Sequence, residues 1–435
     1  MTSDAAELPG RLDKLQRNTL GYFLHETNRT NGMVRDTIRQ GSHASITAIG
    51  LALACYAVGV ERGCISREEA AERTLTTLRF FEGSEQSRAP DATGYRGFYY
   101  HFLDMETGRR ARSSELSTID TTFLIGGALA AGAYFGEETP QEREIRALAE
   151  TLYHRVDWAW ALNEGQAVSH GWKPERGFLR YRWTGYNEAL LLYALGLGSP
   201  THPLPEESYE AWLSTYRWKK LYGYEFIYGG PLFVHQLSHV WIDFRELQDA
   251  YVRGKGLDYF ENSRRATYVQ REYARRNPRG FKGYGRNAWG ITASDGPGRM
   301  VRCVDGVRRR FYAYIARGVP YGPDDGTLSP WATVAALPFA PEIVLPALEH
   351  FNAVYPEMTN IYGFKCSFNP TFPAGESGDE TWISQGYYGL DQGPIVLMIE
   401  NYRNEFLWRL MMRCPYLVRG LRRAGFKGGW LEGAA

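Results

Sequence analysis

Apolar positions fall into about a dozen helical segments of two kinds. Some are small and apolar on every side: 44–60, 117–134 and the run that opens with Leu190, Leu191, Tyr193 and Leu195. A helix without a polar face belongs inside a larger body. Others are amphipathic. In 12–28 the apolar positions are Leu15, Leu20, Phe23 and Leu24, and 66–81, 140–162 and 258–277 alternate in the same way. Ser66 and Glu69 have capping-box spacing, and Gly198-Ser199-Pro200 is a stop signal. A stretch over 328–351 is helical with a break at Pro338 to Pro341, and 394–412 reads as the final helix. The connections are long and rich in Gly and aromatic residues, notably 83–112, 281–321 and 362–388. This alternation predicts an all-α chain of two concentric rings, an α/α barrel. Parallel inner helices would bring their N-termini to one mouth. No second composition regime interrupts residues 1–435, so a single domain is expected.

Composition narrows the function. The 435 residues include 12 Trp and 29 Tyr, and these cluster with Gly and scattered acids, as in carbohydrate-active proteins. With 50 basic and 49 acidic residues and no long basic run, nucleic acid is a poor partner. The short basic cluster Arg308–Arg310 reads as a solvated loop. Five dispersed cysteines without a C-x-x-C pair argue against a disulfide framework or zinc site and fit a reducing compartment. The polar first residues lack an apolar leader, and no stretch of about 20 apolar residues could span a bilayer, so a cytoplasmic protein is expected.

Four acids stand at or near helix starts: Asp120, Glu188, Glu261 and Asp391. If their helices form the inner ring, all four face one cavity. Ser117-x-x-Asp120 and Asp258-x-x-Glu261 also match caps, and Asp391 before Gly393-Pro394 could only decorate a helix entry. Glu188 is harder to dismiss. With Thr184 as N-cap it lies beyond the capping positions, framed by Trp172, Trp183 and Tyr186. A general acid there needs burial to raise its pKa against the helix dipole. His235, His239 and Asp243 are spaced by four, which is metal-ligand spacing, but no H-E-x-x-H is present and sugar-binding or structural roles fit better. Asp324-Asp325-Gly326 lacks the rest of a calcium loop, and no nucleotide-binding pattern occurs. No metal or cofactor is expected.

Several blocks make the chain less anonymous: ELSTIDTTFLIGGAL, GWKPERGFL, WTGYNEALLLYALGLGSPTHPLP, FVHQLSHVWIDFREL, DYFENSRRAT, ARGVPYGPDDGTLSP and GLDQGPIVLMIENYR. Over about residues 12–413 the sequence resembles the glycoamylase-like domain of bacterial β-1,2-glucanases and of the transglycosylase part of cyclic β-1,2-glucan synthases. The resemblance implies an (α/α)6 barrel, an oligo- or polysaccharide substrate with β-1,2 linkages, and chemistry without a cofactor. It implies Glu188 as proton donor, with Glu261 as nucleophile if the enzyme retains configuration, or Asp391 as the acid serving water if it inverts. Asp120, Glu115, His239 and Asp243 would hold hydroxyls, and Trp172, Tyr186, Trp289 and Trp382 would stack on sugar rings. An exo-acting enzyme on another linkage and a silent glucan-binding protein remain alternatives.

Overall fold

A computed structural model describes residues 4–375 and 380–434 of the chain. The helices sort as the apolar pattern predicts. Ile46–Glu61 and Thr118–Tyr134 are buried almost throughout and pack on each other along their length. Leu190–Gly198, Leu237–Trp241, Pro330–Ala335 and Gly389–Asn404 continue the buried set. Thr118–Tyr134 touches Leu190–Gly198, which touches Leu237–Trp241, which touches Gly389–Asn404, which returns to Ile46–Glu61. Pro330–Ala335 packs on Gly389–Asn404 and accepts a hydrogen bond on Ala332 from Gln236, beside Leu237–Trp241.

Amphipathic helices cover this set. Asp4–His25 lies on Gly389–Asn404, Arg67–Gly83 on Ile46–Glu61, and Pro140–Arg155 on Thr118–Tyr134. Pro341–Val354 lies on Pro330–Ala335, and Pro415–Arg423, an extra helix beyond the expected end, on Leu190–Gly198. Two glycine contacts allow the closest approaches. A Cβ on Gly127 would sit 2.0 Å from the Gly50 carbonyl oxygen, and one on Gly420 1.7 Å from that of Ala194. Any side chain at either place would force packed backbones apart.

Three details differ from the sequence reading. Leu190–Gly198 starts after Glu188, because Asn187 accepts from the Ala189 N–H and ends the approach in a tight turn. Gly389–Asn404 begins five residues ahead of Pro394, so Asp391 lies in its first turn rather than before it. The expected final segment is divided at Glu405, whose φ of 60° breaks the helix before Phe406–Met411. The loops, meanwhile, form short antiparallel ladders. Ala44–Ser45 pairs with Phe102–Leu103, Leu116–Ser117 with Gly171–Lys173, and Thr37 bridges Tyr388. These ladders tie loop residues to the starts of the buried helices.

Candidate active site

The helix starts converge on one cavity of about 610 Å³. Ser45, Thr47, Ile119, Asp120, Leu237, Trp331 and Leu390 line it from the helix ends, Glu188 from the turn before Leu190, and Asp36, His101, Phe102 and Arg112 from loops. Each position has a local cause. Ser117 caps its helix by accepting from the Asp120 N–H at 3.2 Å, which turns the Asp120 carboxyl back over the helix start. Thr47 Oγ1 donates to Asp120 Oδ1 at 2.6 Å, and Ser117 Oγ donates to Oδ2. Glu188 is held through its backbone, whose carbonyl accepts from Ser238 Oγ at 2.8 Å. Its carboxyl accepts from no other side chain. Asp36 is fixed by its N–H to the His43 carbonyl (2.7 Å) and its carbonyl to the Gly389 N–H (3.0 Å), which leaves its carboxyl unclaimed.

The electrostatics follow from burial, because neither Glu188 nor Asp36 has an ion-pair partner among the described residues. Burial pushes the Glu188 carboxyl up to about 7, and the nearby Asp120 charge pushes the same way. Burial raises Asp36 to about 6, with His101 and Arg112 opposing. Burial lowers His101, but Asp120, Glu115 and Asp36 overcome it and carry the imidazole up to about 9. His101 Nδ1 is 3.1 Å from Glu115 Oε1 and 3.7 Å from Asp120 Oδ2, with the ring stacked on Phe102. An acid protonated near neutrality thus shares a wall with two further carboxyls and an imidazolium.

The other anticipated site residues lie elsewhere. Glu261 is on Tyr259–Arg276, its N–H capped by Asp258 and its carboxylate paired with Arg265 at 2.7 Å. Asp391 is fully buried behind the lining residues Tyr388 and Leu390; no nitrogen or hydroxyl donates to its carboxyl among the described residues, the Cys366 thiol lies beside it, and burial holds its pKa well above the usual range. His239 is buried between Phe244 and Phe339, hydrogen-bonded to Ser263, and burial lowers it to about 3. Asp243 is paired with Arg245. Trp172 packs with Tyr95 and Trp160, Tyr186 stacks on Tyr259, Trp289 is fully buried, and Trp382 packs against the Phe311–Phe372 cluster. None of these lines the cavity. Its aromatic wall is instead Phe102, Phe123, Phe233, Tyr314, Trp331 and Tyr388.

Sequence reasoning passed over Asp36, Thr47 and His101. Asp36 follows Arg35 in a loop without a helix signal, and His101 sits inside the aromatic knot 97–102. Only the fold brings them beside Asp120.

Residues 180–415 match the Glycoamylase family model, described as "putative glucoamylase". A solved structure of the same description from Bacteroides uniformis is 31% identical, with 99% of each chain covered and a TM-score of 0.85. An endo-β-1,2-glucanase from Chitinophaga pinensis, solved with sophorotriose and glucose, is 29% identical over 97% of this chain and 99% of its own, with a TM-score of 0.83. An exo β-1,2-glucooligosaccharide sophorohydrolase (non-reducing end) from Parabacteroides distasonis is 27% identical over 95% of this chain. The chain spans only 57% of that relative's length.

Proposed function

The chain belongs to the glycoamylase family, and from that premise we propose that it is a glycoside hydrolase cleaving β-1,2-linked glucan or its oligosaccharides. The observation that carries this reading is Glu188, a carboxyl raised to about 7 on the wall of a cavity whose other acids have no paired arginine or lysine. Such a group is protonated when substrate binds and can donate to the leaving glycosidic oxygen. The ring of buried helices and its outer cover support an (α/α)6 barrel, with the cavity at the N-terminal end of the inner helices.

The second carboxyl is Asp36 in this proposal. It lines the cavity, no side chain donates to it, and its pKa of about 6 lets it accept a proton at neutral pH. Glu261 is ion-paired outside the cavity and Asp391 is sealed behind it, which supports positioning roles for both. Asp120, held by Thr47 and Ser117, would fix a sugar hydroxyl, with Glu115 orienting His101 beside it. In the donation step, the Glu188 proton goes to the bridging oxygen as the C1–O bond breaks. Asp36 takes a proton from the incoming water, whose oxygen bonds to C1. Transfer to a saccharide hydroxyl with the β-configuration kept would require a covalent intermediate instead of this single displacement.

Proton NMR of a fresh reaction on linear β-1,2-glucan tests the reading. Appearance of shorter products with a defined first anomer supports it. An α-anomer first fits water activated by Asp36, whereas a β-anomer first requires a covalent intermediate and overturns the Asp36 assignment. An unchanged glucan overturns the substrate. Chain-end action is a second reading, favoured by the His101, Phe102 and Arg112 wall that bounds the cavity on the loop side. It requires one product length from the first time point onward.

A further inference from the structure

A hairpin of Met300–Val304 and Val307–Phe311 stands beside the cavity. Its two faces differ. Met300, Val304 and Phe311 pack with Phe372 and Trp382. Arg302 lies over the Phe372 ring, and Arg309 lies over Phe281 and donates to the Arg279 and Gly280 carbonyls. The opposite face carries Val301 paired with Arg310 and Cys303 paired with Arg308, all exposed. Arg310 and the preceding Arg299 line a groove of about 450 Å³ that also holds Tyr312 and Tyr314. Among the described residues no carboxylate pairs with Arg299 or Arg310.

Tyr314 is the link. It lines this groove and the 610 Å³ cavity alike, with its ring 5.6 Å from that of Tyr388. Arg39 and Arg112 line the same cavity from its loop side. Carboxyls and guanidinium groups thus share the cavity wall, Arg39 being paired with Asp295, and the adjoining groove adds Arg299 and Arg310, which have no carboxylate partner among the described residues. Guanidinium groups can donate to hydroxyls, but they bind carboxylates and phosphates more strongly, through two charge-assisted hydrogen bonds at once. Two exposed arginines with no carboxylate partner among the described residues therefore favour an anion, and the adjoining tyrosines offer sugar-sized faces.

We propose that the groove of Arg299, Arg310 and Tyr314 is a binding site for an anionic substituent, a carboxylate or phosphodiester ester, on a glucan chain whose reacting end occupies the cavity. The site deepens the glucanase reading and rests on it for the identity of the chain. Its effect is selection: substituted chains are captured through the groove and presented to Glu188.

The test uses linear β-1,2-glucan lightly succinylated on primary hydroxyls, the same glucan acetylated to equal extent, and the unmodified glucan. The full chain is expected to show kcat/KM about threefold to tenfold higher on the succinylated than on the acetylated glucan at low ionic strength, falling toward equality in about 0.5 M salt. The R299Q/R310Q double variant should lose that preference while keeping activity on unmodified glucan. Equal rates on the two esters in the parent, or a preference that survives the double substitution, overturns the site. Calorimetric binding of a succinylated oligosaccharide to parent and double variant gives a second reading independent of turnover. Loss of affinity confined to the succinylated ligand supports the groove even if no glucan is cleaved. Equal affinity in both proteins refutes it. Inert unmodified glucan in the parent is instead a failure of the glucanase reading.

Discussion

The helix Gly389–Asn404 carries two carboxyls that are both fully buried and yet are opposites. Glu400, near its C-terminal end, accepts from Arg62 at 2.6 and 2.8 Å, from Gln16 at 2.9 Å and from Asn404 at 2.8 Å. Burial pushes its pKa up, but these donors prevail and hold it below the ordinary value. Asp391, nine residues earlier in the sequence, has no such donors among the described residues, only the Cys366 thiol beside it, and burial drives its pKa well above the ordinary value. Other buried acids away from the cavity also have donors, either arginines, as in Glu142 with Arg67 and Asp325 with Arg317, or tyrosine hydroxyls, as in Asp249 with Tyr209 and Tyr259 and Asp324 with Tyr273 and Tyr284. At the cavity end, Asp36 and Glu188 have none, and their pKa values rise. One end is arranged for stability and the other for chemistry. Unpaired buried acids are a cost that a fold carries only where function needs them.

The sharpest way to break this contrast is to neutralise the cavity acid. Glu188→Gln keeps shape and removes the proton. It should lower kcat on β-1,2-glucan by about 10²- to 10⁴-fold, the span of general acid catalysis. Melting at pH 8 should be unchanged or higher, because a carboxyl raised to about 7 is held against its preference when charged. A variant that retained a tenth of parental turnover would remove Glu188 from the reaction.

At the paired end the expectation reverses. Glu400→Ala leaves Gln16, Asn404 and the one-third-exposed Arg62 without their shared acceptor and should cost about 2–3 kcal/mol in urea unfolding. Turnover at a temperature where the variant is folded should stay near parental. The signs with pH also differ. Glu400 has a depressed pKa, so its contribution is present above the unfolded carboxylate value and is lost as pH falls through the folded one. Asp391 is raised, so its contribution is present at low pH and lost as pH rises. Asp391→Asn should therefore stabilise by about 1–2 kcal/mol at pH 8 and by less at pH 5. A destabilisation equal at both pH values would mean that Asp391 is an ordinary packed group.

The two ends were not equally legible in the sequence. The buried helices declare themselves by being apolar all round, and Ser117 and Ser66 act as the caps that their spacing predicts. Glu188 stands out because its spacing puts it beyond the capping positions of an apolar helix, whereas Asp120 is also accounted for by its cap and is drawn in only by the shared cavity. Asp36 and His101 do not, because their loops join the cavity only through ladders such as Thr37 with Tyr388 and Ser45 with Phe102. Those are pairings between distant segments that local periodicity does not encode. Aromatic content is ambiguous for a further reason. Trp289 and Tyr186 have the composition of a sugar platform, yet a large core consumes rings equally well: Trp289 is fully buried, and the half-buried Tyr186 is stacked on Tyr259.

The kinetic pH profile gives a finer contrast. Asp36, raised to about 6, serves as base only above that value, and Glu188, raised to about 7, serves as acid only below its own. The kcat/KM profile should thus be a narrow bell centred near pH 6.5, with Asp36→Asn removing the acid limb. A broad plateau from pH 5 to 9 would contradict both assignments.

The smallest expected effect contrasts the cations of the two ends. Arg62 beside Glu400 stays charged at any accessible pH, whereas His101 titrates. Its ring faces Glu115 and Asp120 directly. Asp36 lies close by, and Arg112 and Lys173 act on those acids from the neighbouring loop and strand. Its folded pKa of about 9 exceeds the unfolded value of about 6.5, so the stabilisation is complete below 6.5 and disappears as pH rises through 9. Asp36 and Glu188 have already titrated by pH 8, which leaves the interval from pH 8 to 10 to His101 among these three. The parent should lose about 1 kcal/mol across it, after allowance for solvent screening, and His101→Gln should lose markedly less in the same interval. Parallel losses in parent and variant would show that the three acids are held apart by the fold alone, and that the imidazolium does not organise the cavity end.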